Sequence, residues 1–165
     1  MPTDTLYGIV ASALRPEAVE RLYQVKSRMP AKPPIILIAS IDNLSLFGVV
    51  PTDAQRAMLP RWWPGPVSII LPCSNPAFDY LHRGVGSLAF RLPDKLDLQT
   101  LLAESGPLIA PSANPEGLPP ATTIVEARNY FGDAVDFYID GGVLEGRAST
   151  IIRLGADGAV EIVRK

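Results

Sequence analysis

Pro16-Glu17-Ala18-Val19-Glu20-Arg21-Leu22-Tyr23-Gln24-Val25-Lys26-Ser27-Arg28, followed after a proline-rich bend by Ile35-Ile36-Leu37-Ile38, is the stretch on which the architecture turns. Ala18, Leu22 and Val25 recur at helical spacing behind a proline that suits a first turn, so residues 16–27 are expected to form an amphipathic helix. Residues 35–38 are a short continuous apolar run and read as a buried strand. The same alternation continues downstream. Thr52 with Gln55, and Thr123 with Glu126, are capping boxes that open helices, and Gly132 is placed to stop the second of them. Residues 67–71, the alternating stretch 87–92 and residues 108–110 read as strands, with a short helix over 97–104 ending at Gly106. Near the C-terminal end, residues 150–154 and 159–164 flank Asp157-Gly158, a hairpin signal. Helices between early strands and a hairpin at the end predict an α/β fold: a twisted sheet of mixed parallel and antiparallel strands with flanking helices.

Composition narrows the function classes. The chain has 165 residues, 47% hydrophobic and 19% charged. A domain of this size buries roughly 70% of the surface that its unfolded chain exposes, enough for a real core. Its 17 prolines are dispersed between apolar runs, which makes them loop stiffeners rather than a disordered tract. One domain spanning residues 1–165 is expected. A formal charge of -2 and a pI near 5.4 argue against broad electrostatic capture of nucleic acid, leaving only a local basic cleft. No apolar run is long enough to span a bilayer and no export signal opens the chain, so a cytoplasmic protein without membrane contact is expected.

The side chains also exclude chemistries. A single cysteine, Cys73, cannot close an internal disulfide and reads as a small buried hydrophobe. The single histidine, His82, is expected in a surface loop. With one of each, hydrolase triads and zinc sites lack their parts, so no resident metal is expected. The phosphate-binding Gly-x-x-x-x-Gly-Lys-Ser/Thr loop is absent, and Gly84-Val85-Gly86 leads into a strand where a dinucleotide fingerprint needs a helix.

A polar constellation remains. Lys26 and Arg28, with Lys32 beyond them among prolines, form a cationic cluster suited to a polyanion, or one that merely complements the dipole at a helix C-terminus. Pro111-Ser112-Ala113-Asn114 follows directly on a buried strand, where α/β sheets bind ligands, or is an ordinary Ser/Asn turn. Arg91 shares a strand face with Ser87 and Ala89, away from Leu88, Phe90 and Leu92. It is placed to clamp a carboxylate or to lie solvated. The opening Pro2-Thr3-Asp4-Thr5-Leu6-Tyr7-Gly8 brings together two hydroxyls, a carboxylate and a phenol.

In order, the Pro-Thr-Asp-Thr-x-Tyr-Gly opening, Lys26-x-Arg28, Trp63-Pro64-Gly65-Pro66, the strand ending in Arg91, Ser112-x-Asn114, Asp140-Gly141-Gly142 and Ser149-Thr150 resemble the YrdC/TsaC family of threonylcarbamoyl-AMP synthases over essentially the whole chain. The resemblance implies a deep polar cleft holding ATP and threonine side by side, and a nucleotidyltransferase. Such an enzyme makes threonylcarbamoyl-AMP and pyrophosphate from L-threonine, bicarbonate and ATP with Mg²⁺, for threonylcarbamoyladenosine modification of tRNA. By resemblance, Lys26, Arg28, Lys32, Ser87, Ser112, Asn114, Pro120 and Arg164 match nucleotide positions, with Lys26 and Arg28 at the reacting phosphates. Thr5, Tyr7, Arg91, Ser112 and Ser149 match the threonine side. The product would pass to a downstream threonylcarbamoyl transferase complex. Met1 falls inside the first motif, so the upstream strand of the family is expected to be missing. Met29 separates Arg28 from Pro30, where the family joins Arg to Pro directly. A non-catalytic double-stranded RNA or tRNA-binding module and a carbamoyl-adenylate-forming relative are the alternatives that the resemblance leaves open.

Overall fold

The computed structural model describes residues 1–165. Its seven strands are β1 (Ala11–Ser12), β2 (Ile35–Leu37), β3 (Val67–Pro72), β4 (Ser87–Arg91), β5 (Leu108–Ile109), β6 (Thr150–Leu154) and β7 (Val160–Arg164). They form one sheet in the order β1-β5-β2-β4-β3-β6-β7. The pairs β2/β4 and β3/β6 are parallel and the other neighbours antiparallel, so the mixed sheet is as expected. The predicted hairpin is β6/β7, closed at Gly155 to Gly158.

Five α-helices connect the strands: α1 (Pro16–Lys26), α2 (Asp53–Met58), α3 (Asp79–His82), α4 (Leu96–Ser105) and α5 (Ile124–Phe131). Pro16 opens α1, and Ser27, with φ 50°, ends it in the left-handed region. The Thr52/Gln55 box forms in both directions. The same two side chains also tie α2 to the terminal hairpin: Gln55 Nε2 donates to Leu154 O at 3.0 Å and Thr52 Oγ1 to Ala156 O at 2.7 Å. The second box is one-sided. Thr123 accepts from Glu126 N, whereas the Glu126 carboxylate turns to the amide and hydroxyl of Thr122. Gly132 stops α5 with φ 49°.

Strand alternation sorts the sheet into two faces. Ile36, Ile69, Leu71, Leu88, Phe90, Ile109, Ile152 and Leu154 face the main core with Val19, Leu22 and Tyr23 of α1 and Ala127 and Phe131 of α5. On the other face, Leu37, Leu108 and Ala110 pack under Leu98 and Leu102 of α4. Helix α4 covers only that end of the face. The remainder, carrying Ala89 and Arg91 of β4 and Ile151 and Arg153 of β6, is the floor of a cleft.

Cys73 is buried as expected, 3% exposed, beside Phe47 O. His82 is not a surface loop residue. It ends α3, is 5% exposed and lies 3.0 Å from Asp79 Oδ1, because α3 packs against α1. Neither α3, β1 nor the 3-10 helix Ile41–Phe47 was foreseen: the first two, of four and two residues, are too short to show a period, and the third follows a 3-10 rather than an α-helical repeat. No helix is long and apolar enough to cross a membrane.

Candidate active site

The cleft has a volume of about 550 Å³, within the range of small-molecule sites. Its walls come from the N-terminal turn 3–8, the proline-braced loop after α1, the exit of β5, and residues 148–149 beside the end of β7. Five cations line it, Arg28, Lys32, Arg91, Arg153 and Arg164, and no acidic side chain does. In a chain of net charge -2, this concentrates positive potential where a polyanion would enter. A smaller apolar hollow of about 250 Å³ between β1, α1 and residues 134–138 has Arg21 and Asp136 as its only charged side chains, and these pair with each other at 2.9 Å.

Of the twelve residues singled out in the sequence, ten meet on the cleft wall: Thr5, Tyr7, Arg28, Lys32, Ser87, Arg91, Ser112, Pro120, Ser149 and Arg164. Lys26 and Asn114 lie one layer behind it. Lys26 is 3% exposed, and its ammonium donates to Ser112 O at 2.6 Å, to Asn114 O, and to Asn114 Oδ1 at 3.1 Å. Burial, reinforced by the Arg28 charge, pulls its pKa from 10.5 to about 8. Lys26 therefore staples the exit of β5 to α1, and does not join Arg28 and Lys32 in lining the cleft. Lys26 still belongs to α1, and the left-handed Ser27 turns the chain before Arg28.

Asn114 completes the staple. Its Oδ1 accepts from Ser112 Oγ at 2.6 Å, and its Nδ2 donates to Pro115 O and Leu118 O. Arg28 folds back on its own loop, donating to Lys32 O and to Pro33 O at 2.9 Å. Lys32 lies 3.5 Å from Glu116, whose carboxylate accepts from Met29 N at 2.6 Å; this contact, with the nearby cations, holds its pKa below the usual range. The extra residue Met29 thus anchors the loop.

On the opposite wall, Tyr7 is fully buried. Its hydroxyl accepts from Gly141 N and donates to Gly142 O, both at 2.8 Å, and burial raises its pKa. Asp140-Gly141-Gly142 is thereby latched to the N-terminal turn. Arg164 Nη2 donates to Ser149 O at 2.7 Å, and burial lowers its pKa.

Two residues of this region, Arg153 and Ser68, were not singled out in the sequence, and Asp4 was noted there without a partner. Arg153 lines the floor, and the alternation of Ile151 and Arg153 against Ile152 and Leu154 carried that signal. Ser68, fully buried on β3, pairs with the Ser149 hydroxyl at 2.9 Å. Asp4 pairs with Arg91 at 2.8 Å. Neither of the last two contacts has a local signature. The chain holds no cluster of three His, Cys, Asp or Glu side chains, and with no carboxylate on its wall the cleft does not fit a resident metal ion.

The Sua5_yciO_yrdC family model, described as telomere recombination, matches residues 1–165. The chain belongs to the Sua5/YciO/YrdC family. It is 34% identical over 155 residues to threonylcarbamoyl-AMP synthase of Pyrococcus abyssi, covering 93% of this chain and 46% of that protein. To the threonylcarbamoyl-AMP synthase of Bacillus subtilis it is 36% identical over 144 residues, covering 86% and 41%. The crystal structure of P. abyssi Sua5 complexed with L-threonine superposes with a TM-score of 0.85 at 34% identity, over 93% of this chain and 46% of that one. The chain thus spans less than half the length of these relatives.

Proposed function

We propose that this chain is an L-threonylcarbamoyladenylate synthase that joins L-threonine, bicarbonate and ATP into threonylcarbamoyl-AMP and releases pyrophosphate, for tRNA modification. The observation that carries the reading is the cleft wall itself, with five cations, several hydroxyls and no acid. Such a wall suits a reaction in which anions must meet. Threonine's amine condenses with bicarbonate, with loss of water, to give a carbamate, and the carbamate oxygen attacks the α-phosphorus while the bond to pyrophosphate breaks. In transfers of this kind a protein contributes positioning and charge neutralisation, and no side-chain nucleophile is required.

In this reading Arg28, Lys32 and Arg164 take the polyphosphate, Ser87 and Pro120 border the nucleotide, and Ser112 stands between the two ligands. Thr5, Arg91 and Ser149 take the amino acid, with Tyr7 shaping the wall between it and the nucleotide. Lys26 and Asn114 act by holding the loop that carries Ser112, and Lys26 makes no direct phosphate contact. Mg²⁺ enters on the nucleotide's phosphates as part of the substrate.

Pyrophosphate release by the purified chain with ATP and Mg²⁺, omitting bicarbonate and L-threonine in turn, tests the reading. Release that needs both upholds it. Release that needs no threonine points instead to a carbamoyl-adenylate-forming relative. ATP-independent binding of duplex RNA without any release identifies a binding module.

A further inference from the structure

Asp4 sits between Thr3 and Thr5 in the N-terminal turn, and its side chain is 5% exposed; that of Arg91 is 3% exposed. Arg91 lines the cleft and Asp4 lies behind it. A guanidinium matches a carboxylate through two parallel N–H···O bonds. Here only one forms, from Arg91 Nη2 to Asp4 Oδ1 at 2.8 Å, and both Arg91 Nε and Asp4 Oδ2 are buried without a partner. A buried ion pair recovers its desolvation cost only where its remaining donors and acceptors are also satisfied. The pair is therefore half satisfied: Nη2 is spent on Asp4, Nε is sealed in, and Nη1 is the guanidinium nitrogen that is neither bonded nor enclosed, on a residue of the cleft wall.

The turn that carries Asp4 is itself pinned. Thr3 Oγ1 accepts from Thr5 N and Leu6 N at 3.2 Å and donates to Leu6 O at 2.6 Å. Arg91 is also unlike the other cleft cations. Lys32 has a partly exposed partner and Arg153 an exposed one, Arg28 and Arg164 have no carboxylate, and Arg91 alone has its counter-ion buried with it. Exposed cations are free to close on a polyphosphate in solvent. A cation already half neutralised at the floor is matched to a single carboxylate.

We propose that Asp4 is a positioning residue for the amino-acid substrate: it holds the Nη2 side of the Arg91 guanidinium so that Nη1 is presented to the substrate's carboxylate. The proposal rests on the reading of the cleft as an L-threonine site. Asp4 touches no substrate and acts only through Arg91.

The experiment compares Asp4→Ala and Asp4→Asn with the wild-type chain in steady-state pyrophosphate release. Asp4→Ala is expected to raise the KM for L-threonine about tenfold or more, as loss of a charge-assisted contact would, with the KM for ATP within about twofold of wild type. Asp4→Asn keeps an oxygen for Nη2 without the charge and is expected to fall between, with the threonine KM raised about threefold. An unchanged threonine KM in folded Asp4→Ala overturns the proposal, as does an equal loss of both KM values that Asn does not relieve. Should Asp4→Ala fail to fold, Asp4→Asn decides by the same split, and an unchanged threonine KM again overturns it. A wild-type chain with no threonine-dependent release overturns the functional reading, and the proposal with it, before any variant is compared.

Discussion

Lys26 donates to three oxygens of one loop, Ser112 O, Asn114 O and Asn114 Oδ1, and an ammonium has one proton for each. A neutral amine has two protons for the same three acceptors, so deprotonation releases one of them. With its pKa lowered to about 8, Lys26 makes that change just above neutrality. Two opposite trends follow. The unfolded chain, with the ordinary lysine value of 10.5, binds this proton more tightly than the folded one. From about pH 8 to about 10.5 the group therefore adds to folding stability as pH rises. Over the same interval the Ser112 loop loses its anchor. Binding of ATP, followed calorimetrically across this range, is expected to weaken with an inflection near pH 8. In Lys26→Arg, which stays charged throughout, the inflection should vanish.

The elements that shape the site are joined by close approaches as much as by hydrogen bonds. Residues 140–147 carry no regular structure, yet they lie against the N-terminal turn, latched by Tyr7 to Gly141 and Gly142. Gly146 is packed onto the backbone carbonyl of Thr5, with no room for a Cβ. Gly142, with φ 72°, has open space where its Cβ would lie, so alanine there incurs only backbone strain, about 1 kcal/mol. Gly146→Ala must move one backbone away from the other and is expected to cost more, about 2 to 3 kcal/mol. Chemical denaturation of the two variants checks the ranking. Equal losses would mean that the loop is not pressed on Thr5.

At the scale of the whole molecule, a net charge of -2 coexists with a cleft that carries five cations and no acid. The attraction for a nucleotide is thus local, and salt screens it within a Debye length of about 8 Å at physiological ionic strength. Raising salt from about 0.05 to about 0.5 M is expected to weaken ATP binding about three- to tenfold and to leave the zwitterion threonine nearly unaffected. The double variant Arg28→Ala/Lys32→Ala should flatten the ATP dependence. A salt response that persists unchanged in the double variant would place the phosphates elsewhere.

What the sequence determined by itself is local or ordered along the chain. The proline-started α1, the Thr52 cap of α2, the alternation of β4 and the Asp157-Gly158 hairpin are written in neighbouring residues, and so were legible. The order of short motifs carried a family resemblance, and that resemblance singled out ten residues that meet in one cleft. Only the tertiary structure decided which of the polar groups have hydrogen-bonding capacity to spare. Lys26 and Arg28 look equivalent two residues apart, yet the first is spent on a loop 86 to 88 residues away and the second lines the cleft. Arg91 meets Asp4 across 87 residues, Ser149 meets Ser68 across 81, and Tyr7 meets Gly142 across 135. Periodicity and caps report contacts made within a few residues. A donor's last partner is set by what the fold brings against it, and no local pattern records that.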